Sequence, residues 1–109
     1  MNAIRYQFCP ACDARWYLPR PACPRCGGAA QTRQAAGTGH VYAVTTQHRA
    51  PARDFPVAPP WRIGLIDLAE GVRVMGHVDP VATIGARVHG EMRDFAGASV
   101  PAFDTIRRD

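Results

Sequence analysis

Hydrophobic and polar positions follow two rhythms along this chain. Up to Ala36 no period is sustained, and apolar side chains are scattered among Cys, Pro, Arg and Gly. From Gly37 onward the texture changes to short runs dense in β-branched and aromatic residues, each bounded by turn formers. That pattern predicts strands. Residues 31–39 read as a linker, so the chain divides into residues 1–36 and residues 37–109.

Five strands are expected in the larger part. The first covers residues 40–48. It is followed by residues 49–60, which carry prolines at 51, 56, 59 and 60. Proline cannot donate to a ladder, so this stretch is a loop, and a long one for a compact domain. Residues 61–68 and 72–78 flank Ala69-Glu70-Gly71, a hairpin whose glycine can take a positive φ. In the second of these strands Val72, Val74 and Val78 share one face, and Arg73, Met75 and His77 the other. A fourth run covers residues 84–92 and a fifth residues 100–106. No segment offers three capped turns of helical period. Glycines 64, 76, 85 and 90 inside these runs suggest the bulges and bends of a small coiled barrel. The expected fold class is therefore mostly β, with a five-stranded barrel of OB or SH3-like type, which periodicity alone does not separate.

The strongest motif lies before the barrel. Cys9-Pro10-Ala11-Cys12 and Cys23-Pro24-Arg25-Cys26-Gly27 form two Cys-x-x-Cys knuckles ten residues apart. Two thiolates at that spacing wrap a turn around a metal, and two such turns complete a tetrahedron. Gly27 permits a tight turn with amides aimed at sulfur, and Asp13, in the equivalent place of the first knuckle, tolerates the same left-handed geometry. A four-thiolate site has no open position for water or substrate, so it is structural, with one Zn²⁺ per chain held by Cys9, Cys12, Cys23 and Cys26. Such a site supplies on the order of 10 kcal/mol of folding free energy. Phe8, Trp16, Tyr17 and Leu18 are expected to pack around it as a miniature core. Iron in a rubredoxin-like electron carrier is the alternative, but an electron carrier needs no barrel behind it.

Composition narrows the chemistry. The 109 residues are 47% hydrophobic and 20% charged, an ordinary globular balance. No apolar run approaches the roughly 20 residues of a membrane-spanning helix, and residues 1–7 lack the apolar core of a signal peptide. A cytoplasmic location follows, where thiols stay reduced and bind metal. Lysine is absent, all 13 basic residues are arginines, and Ser99 is the lone serine, with no motif around it. A lysine Schiff base is excluded, and no paired carboxylates or Ser–His arrangement offers a nucleophile. The net charge of +4 lies wholly in residues 1–36, and thiolate zinc ligation would lower it there to about +2. Residues 37–109 are neutral, which argues against the nucleic-acid reading of a zinc ribbon joined to an OB barrel. His40, His48, His77 and His89 are expected as half-exposed strand residues unless barrel pairing gathers three of them.

The stretch Phe8-Cys9-Pro10-Ala11-Cys12, Trp16-Tyr17-Leu18-Pro19-Arg20 and Cys23-Pro24-Arg25-Cys26-Gly27 resembles the rubredoxin-like zinc ribbon of the acyl-CoA-associated OB-fold proteins, long known as a domain of unknown function. The resemblance continues through Gly37-Thr38-Gly39-His40-Val41-Tyr42 and Thr45-Thr46-Gln47-His48-Arg49. It resumes over residues 63–76 and in all covers roughly residues 6–95. It implies ribbon, linker and OB barrel in that order, and an accessory role in place of catalysis. Such proteins act as scaffolds for thiolases, lipid-transfer-protein-like aldolases and acyltransferases, and in some complexes help to hold the CoA moiety. Family members commonly carry a helix before the ribbon; here eight residues precede Cys9, so that helix's contacts are expected to be missing. The loop at residues 49–60 is the expected partner- or CoA-facing segment. Its prolines limit the entropy lost on docking, and Arg49, Arg53 and Arg62 set guanidinium forks beside Phe55 and Trp61. The competing reading makes the loop a cover for one barrel end, with Trp61 as its plug.

Overall fold

The computed structural model describes residues 2–106, so residue 1 and residues 107–109, the outer ends of the two expected parts, lie outside the described residues. Three short strands come first: β1 (Arg5–Phe8), β2 (Arg15–Trp16) and β3 (Gln31–Gln34), in an antiparallel sheet of order β2-β1-β3. The expected linker thus contains a strand. Gln31–Gln34 pairs with every residue of β1, from Phe8↔Gln31 to Arg5↔Gln34. All four of its side chains are exposed, so no hydrophobic alternation announces it.

The five expected barrel strands are β4 (Thr38–Gln47), β5 (Trp61–Leu68), β6 (Arg73–Val78), β7 (Arg87–Phe95) and β8 (Ala98–Thr105). They close in the order β4-β5-β6-β8-β7, with β7 returning to β4 through Thr38↔His89 to His40↔Arg87. One pairing is parallel, β6 with β8 at His77↔Ala102 and Val78↔Phe103. A simple meander would have put β7 beside β6. The Greek-key order belongs to the OB fold, and the SH3-like alternative falls. No helix of the described residues is long and apolar enough to cross a membrane.

Two details differ from the sequence expectation. Residues 84–86 form a turn instead of opening the fourth strand: Ala86 N–H donates to Thr83 O, and Gly85, at φ +89°, donates to Val41 O. The strand glycines also serve a different purpose. The bulge of the barrel falls between Val41 and Ala43, where no glycine stands. Gly76 and Gly90 instead make room for Phe103, which is 1% exposed. A Cβ at Gly90 would clash with Phe103 Cδ1 and stand 2.5 Å from its Cε1, and one at Gly76 would stand 2.9 Å from its Cε2.

The core is continuous between sheet and barrel. Ile4, Tyr6, Phe8 and Ala35 join Val41, Ile66, Leu68, Val74, Val88 and Phe103 in one buried cluster. The expected miniature core around the metal is therefore only partly present. Phe8 and Tyr17 pack on the shared cluster and Trp16 is half-buried, but Leu18 is 68% exposed. Arg33 lies 3.7 Å from the Phe8 ring centroid and covers it.

Asp79, just after β6, pins the end of β8. Its carboxylate accepts from the Thr105 amide at 2.5 Å, the Thr105 hydroxyl at 3.0 Å and the Val81 amide at 3.1 Å. Partial burial pushes its pKa up, but these donors outweigh burial and hold it below the usual carboxylate value. Replacing Asp79 by Ala should cost about 1.5–3 kcal/mol at neutral pH, measured by urea unfolding. Because the folded pKa is depressed, that advantage is complete above about pH 4 and is lost as pH falls through the folded value. A difference between wild type and variant that stayed constant down to pH 2.5 would contradict this account.

Candidate metal centre and partner-facing residues

Each knuckle is a backbone turn closed in the same way. Asp13 N–H donates to Cys9 O at 2.8 Å and Cys9 N–H to Ala14 O at 2.9 Å; Gly27 N–H donates to Cys23 O at 2.9 Å and Cys23 N–H to Gly28 O at 2.8 Å. The residue after each second cysteine is left-handed, Asp13 at φ 65° and Gly27 at φ 79°, as the sequence anticipates. The Arg25 amide points at Cys23 Sγ from 3.3 Å and the Gly28 amide at Cys26 Sγ from 3.4 Å. These amides favour the thiolate form.

The four sulfurs converge. All lie within 4.8 Å of one another, with Cys9–Cys26 at 3.5 Å and Cys12–Cys23 at 3.6 Å. Sulfurs bound at ~2.3 Å to one tetrahedral zinc stand ~3.8 Å apart, so the donor set fits one such ion. The ionisation of these groups points the same way. The Ala14 amide lowers the Cys12 pKa, but burial and hydrogen bonds with Cys26, Cys23 and Cys9 override it and push it up to about 12. Burial raises Cys23, yet the amides of Cys26 and Arg25 and the neighbouring thiols bring it down to about 6. Four thiols this close resist ionising together, and a divalent cation removes that conflict. Gly28 belongs to the site although the knuckle motif does not call for it. A Cβ there would press on Cys26 Sγ and Cys9 Sγ, each 3.3 Å away. The Gly27-Gly28 doublet was its sequence signal.

The histidines do not assemble. His40 and His48 are exposed, His89 Nε2 lies 3.1 Å from Ala36 O, and His77 stacks on Phe95 at 4.2 Å between ring centroids. The four cysteines are the only metal-holding group of three or more such side chains among the described residues.

The five residues around the proline loop have separate fates. Arg49 and Arg53 are exposed, and neither side chain has a carboxylate partner among the described residues. Phe55 and Trp61 pack together at 5.2 Å, and both reach Phe95, at 6.0 and 5.3 Å. Phe95 lies at the end of β7, so the loop is held against the barrel by an aromatic cluster that also includes His77. Arg62 Nη1 donates to the carbonyls of Asp79, Pro80 and Ala82 at 3.0, 3.1 and 2.7 Å, which ties it to the turn after β6.

This chain has the two-part composition of a described family. Residues 2–31 match the model for "ChsH2, rubredoxin-like zinc ribbon domain", and residues 32–93 the model for "ChsH2, C-terminal OB-fold domain". The chain belongs to the ChsH2 family. The ribbon is a zinc ribbon whose four cysteines are positioned to bind one metal ion. Among relatives, it is 36% identical over 77 residues to a probable enoyl-CoA hydratase alpha subunit of Thermomonospora curvata, covering 70% of this chain and 24% of that protein. It is 32% identical over 72 residues to a DUF35 domain-containing scaffold protein of Methanocaldococcus jannaschii, covering 64% of this chain and 50% of the relative. The chain thus spans half or less of the length of these curated relatives. Among solved structures, an Ltp2-ChsH2(DUF35) aldolase chain matches at TM-score 0.76 and 30% identity, covering 94% of this chain and 84% of the other. A DUF35-family protein of unknown function from Sulfolobus solfataricus shares the fold at TM-score 0.63 and 15% identity, covering 95% and 76%.

A purified preparation should carry one zinc per chain and be colourless. Cys23→Ser should lose most of that metal and destabilise the protein by more than about 4 kcal/mol. Elemental analysis and thermal unfolding measure both, and unchanged zinc stoichiometry in Cys23→Ser would refute the ligand assignment.

Proposed function

We propose that this chain is a non-catalytic scaffold subunit of a cytoplasmic complex built on a thiolase-superfamily enzyme, and that it supports acyl-CoA binding or transfer by that enzyme. One observation carries the reading: ribbon and barrel together superpose on a chain of the Ltp2-ChsH2(DUF35) aldolase, over 94% of this chain's length. The name of the M. jannaschii relative, a scaffold protein, supports it. The hydratase name attached to the T. curvata relative belongs to a protein of which this chain spans 24%, so hydratase chemistry is not carried over.

The side-chain inventory agrees with a scaffold. All four thiols sit in one cluster that suits a structural ion, lysine is absent, and the lone Ser99 is exposed. A thiolase-type partner supplies its own nucleophile. Within this reading Arg49 and Arg53 are the groups free to meet a CoA phosphate or a partner carboxylate, with Phe55, Trp61 and Arg62 holding the loop that presents them.

The isolated chain should show no thiolase, aldolase or hydrolase turnover with acyl-CoA substrates. Activity in a preparation free of partner enzyme would end the scaffold reading. Phe55 is built into an aromatic cluster, so the loop is better tested by its free arginines. Arg49→Ala with Arg53→Ala should weaken acyl-CoA turnover by the complex about 3- to 10-fold while the melting temperature stays put. Full activity in the double variant would return the loop to a purely structural role.

A further inference from the structure

One outer face of the barrel is apolar and continues onto the ribbon. On β5 and β6 the inward positions are Gly64, Ile66, Val74 and Gly76, so Ile63, Leu65 and Met75 point outward. The ladder sets Ala43, Leu65 and Met75 in one row across β4, β5 and β6. Two shallow depressions meet at this row. One, of about 350 Å³, runs from Leu65 and Met75 toward Ile63 and Ala43. The other, of about 520 Å³, runs from the same two residues to Leu18 and Arg20 of the ribbon. Met75 is 62% exposed and Leu18 68%. The shared core and the hydrogen bonds of Arg15 and Ala36 to Glu70 hold ribbon and barrel together, so these side chains form one preset surface rather than two.

Charge identifies what fits it. The carboxylate on the rim, Asp67, is taken by Arg73, with Nε to Oδ1 at 2.7 Å and Nη2 to Oδ2 at 3.2 Å. Arg20 is exposed and has no carboxylate partner among the described residues. In a two-fold contact between copies the same patch would meet itself, bringing a second unpaired Arg20 and no free acid. The occupant therefore has to offer an apolar ridge flanked by its own carboxylate. We infer that the trough from Leu18 across Leu65 and Met75 to Ile63 is the docking face for the thiolase-type subunit, which sets a carboxylate against Arg20. This rests on the scaffold reading above and assigns it a surface distinct from the proline loop.

The test uses the full chain co-expressed with the Ltp2 subunit of the solved aldolase as probe, followed by affinity co-purification and titration. Met75→Glu and Leu18→Glu change exposed, outward side chains, so zinc content and melting temperature should hold. Each should weaken Ltp2 binding roughly 30-fold or more, the size of an interface hot spot. Arg20→Glu should weaken it by a lesser factor and more at low salt than at high salt. Wild-type affinity in both Met75→Glu and Leu18→Glu overturns the face while the scaffold reading stands. Failure of the wild-type chain to bind Ltp2 overturns that reading and this assignment together. A wild-type dimer in sedimentation that Met75→Glu dissolves would make a second copy the occupant, against the inference.

Discussion

A single apolar core, carried by β1 from the ribbon into the barrel, is what the rest of the molecule depends on. Ile4 is fully buried, Tyr6 is 5% exposed and Phe8 8%, and all three belong to the same cluster as Val41, Val88 and Phe103. Neither part could bury comparable surface by itself, because domains of this size leave much of their area in water. Hydrogen bonds run along the same seam. Ala36 N–H donates to Glu70 Oε2 at 2.8 Å, Arg15 Nη1 to the Glu70 carbonyl at 2.8 Å, and Met92 N–H to Asn2 O at 2.6 Å. The ribbon is thus fastened to the β5–β6 hairpin on one side and to β7 on the other. Metal ligation stabilises the knuckles, and through β1 that order extends into the barrel.

The arginines explain why the net charge misleads. Several are consumed by structure. Arg33 covers Phe8, Arg15 bonds the Glu70 carbonyl and Asp13, and Arg62 holds three carbonyls of one turn. Arg73 pairs with Asp67 and stands over the Tyr42 ring at 3.5 Å, and Arg93 bridges Glu91 and Asp104. A guanidinium that is already bidentate to a carboxylate or forked onto carbonyls offers little to a phosphate backbone. Five arginines thus brace the fold, whereas Arg20, Arg49 and Arg53 stay exposed without a carboxylate partner among the described residues, so the formal net charge overstates the charge available to a phosphate backbone.

What sequence reading reached and what it missed divide along physical lines. The barrel strands were legible because one face is buried and the other wet, which prints alternation such as Val72, Val74 and Val78 against Arg73, Met75 and His77. The metal cluster was legible because ligand spacing within a turn is local. Strand β3 was not, since its four residues are exposed and polar and print no hydrophobic alternation. The role of Gly76 and Gly90 was hidden for another reason: their partner, Phe103, lies on a different strand. Arg62 and Phe55 looked free for the same reason, because their partners at residues 79–82 and at Phe95 become neighbours only when the barrel closes. Local chemistry reads from sequence, whereas the availability of a side chain is a tertiary property.

Closure of the barrel also limits how this molecule can be recognised. With β7 paired to β4 at Thr38–His40, every barrel strand has a neighbour on each side, and none is an edge strand offering its whole length for a partner to extend. The three-stranded sheet has two edges, but β2 has two residues and β3 four, and edges so short carry little pairing energy. Recognition therefore falls to side chains on fixed faces. Such surfaces bind with little ordering cost, because the backbone beneath them is already set by the core and the metal. A scaffold benefits from that arrangement: an apolar face spanning ribbon and barrel reports whether the two are correctly joined. On the docking assignment proposed above, loss of zinc would disorder the knuckles on either side of Leu18 and Arg20 and leave only the barrel half of the face. Partner binding would then be coupled to metal content without any metal-to-partner bond.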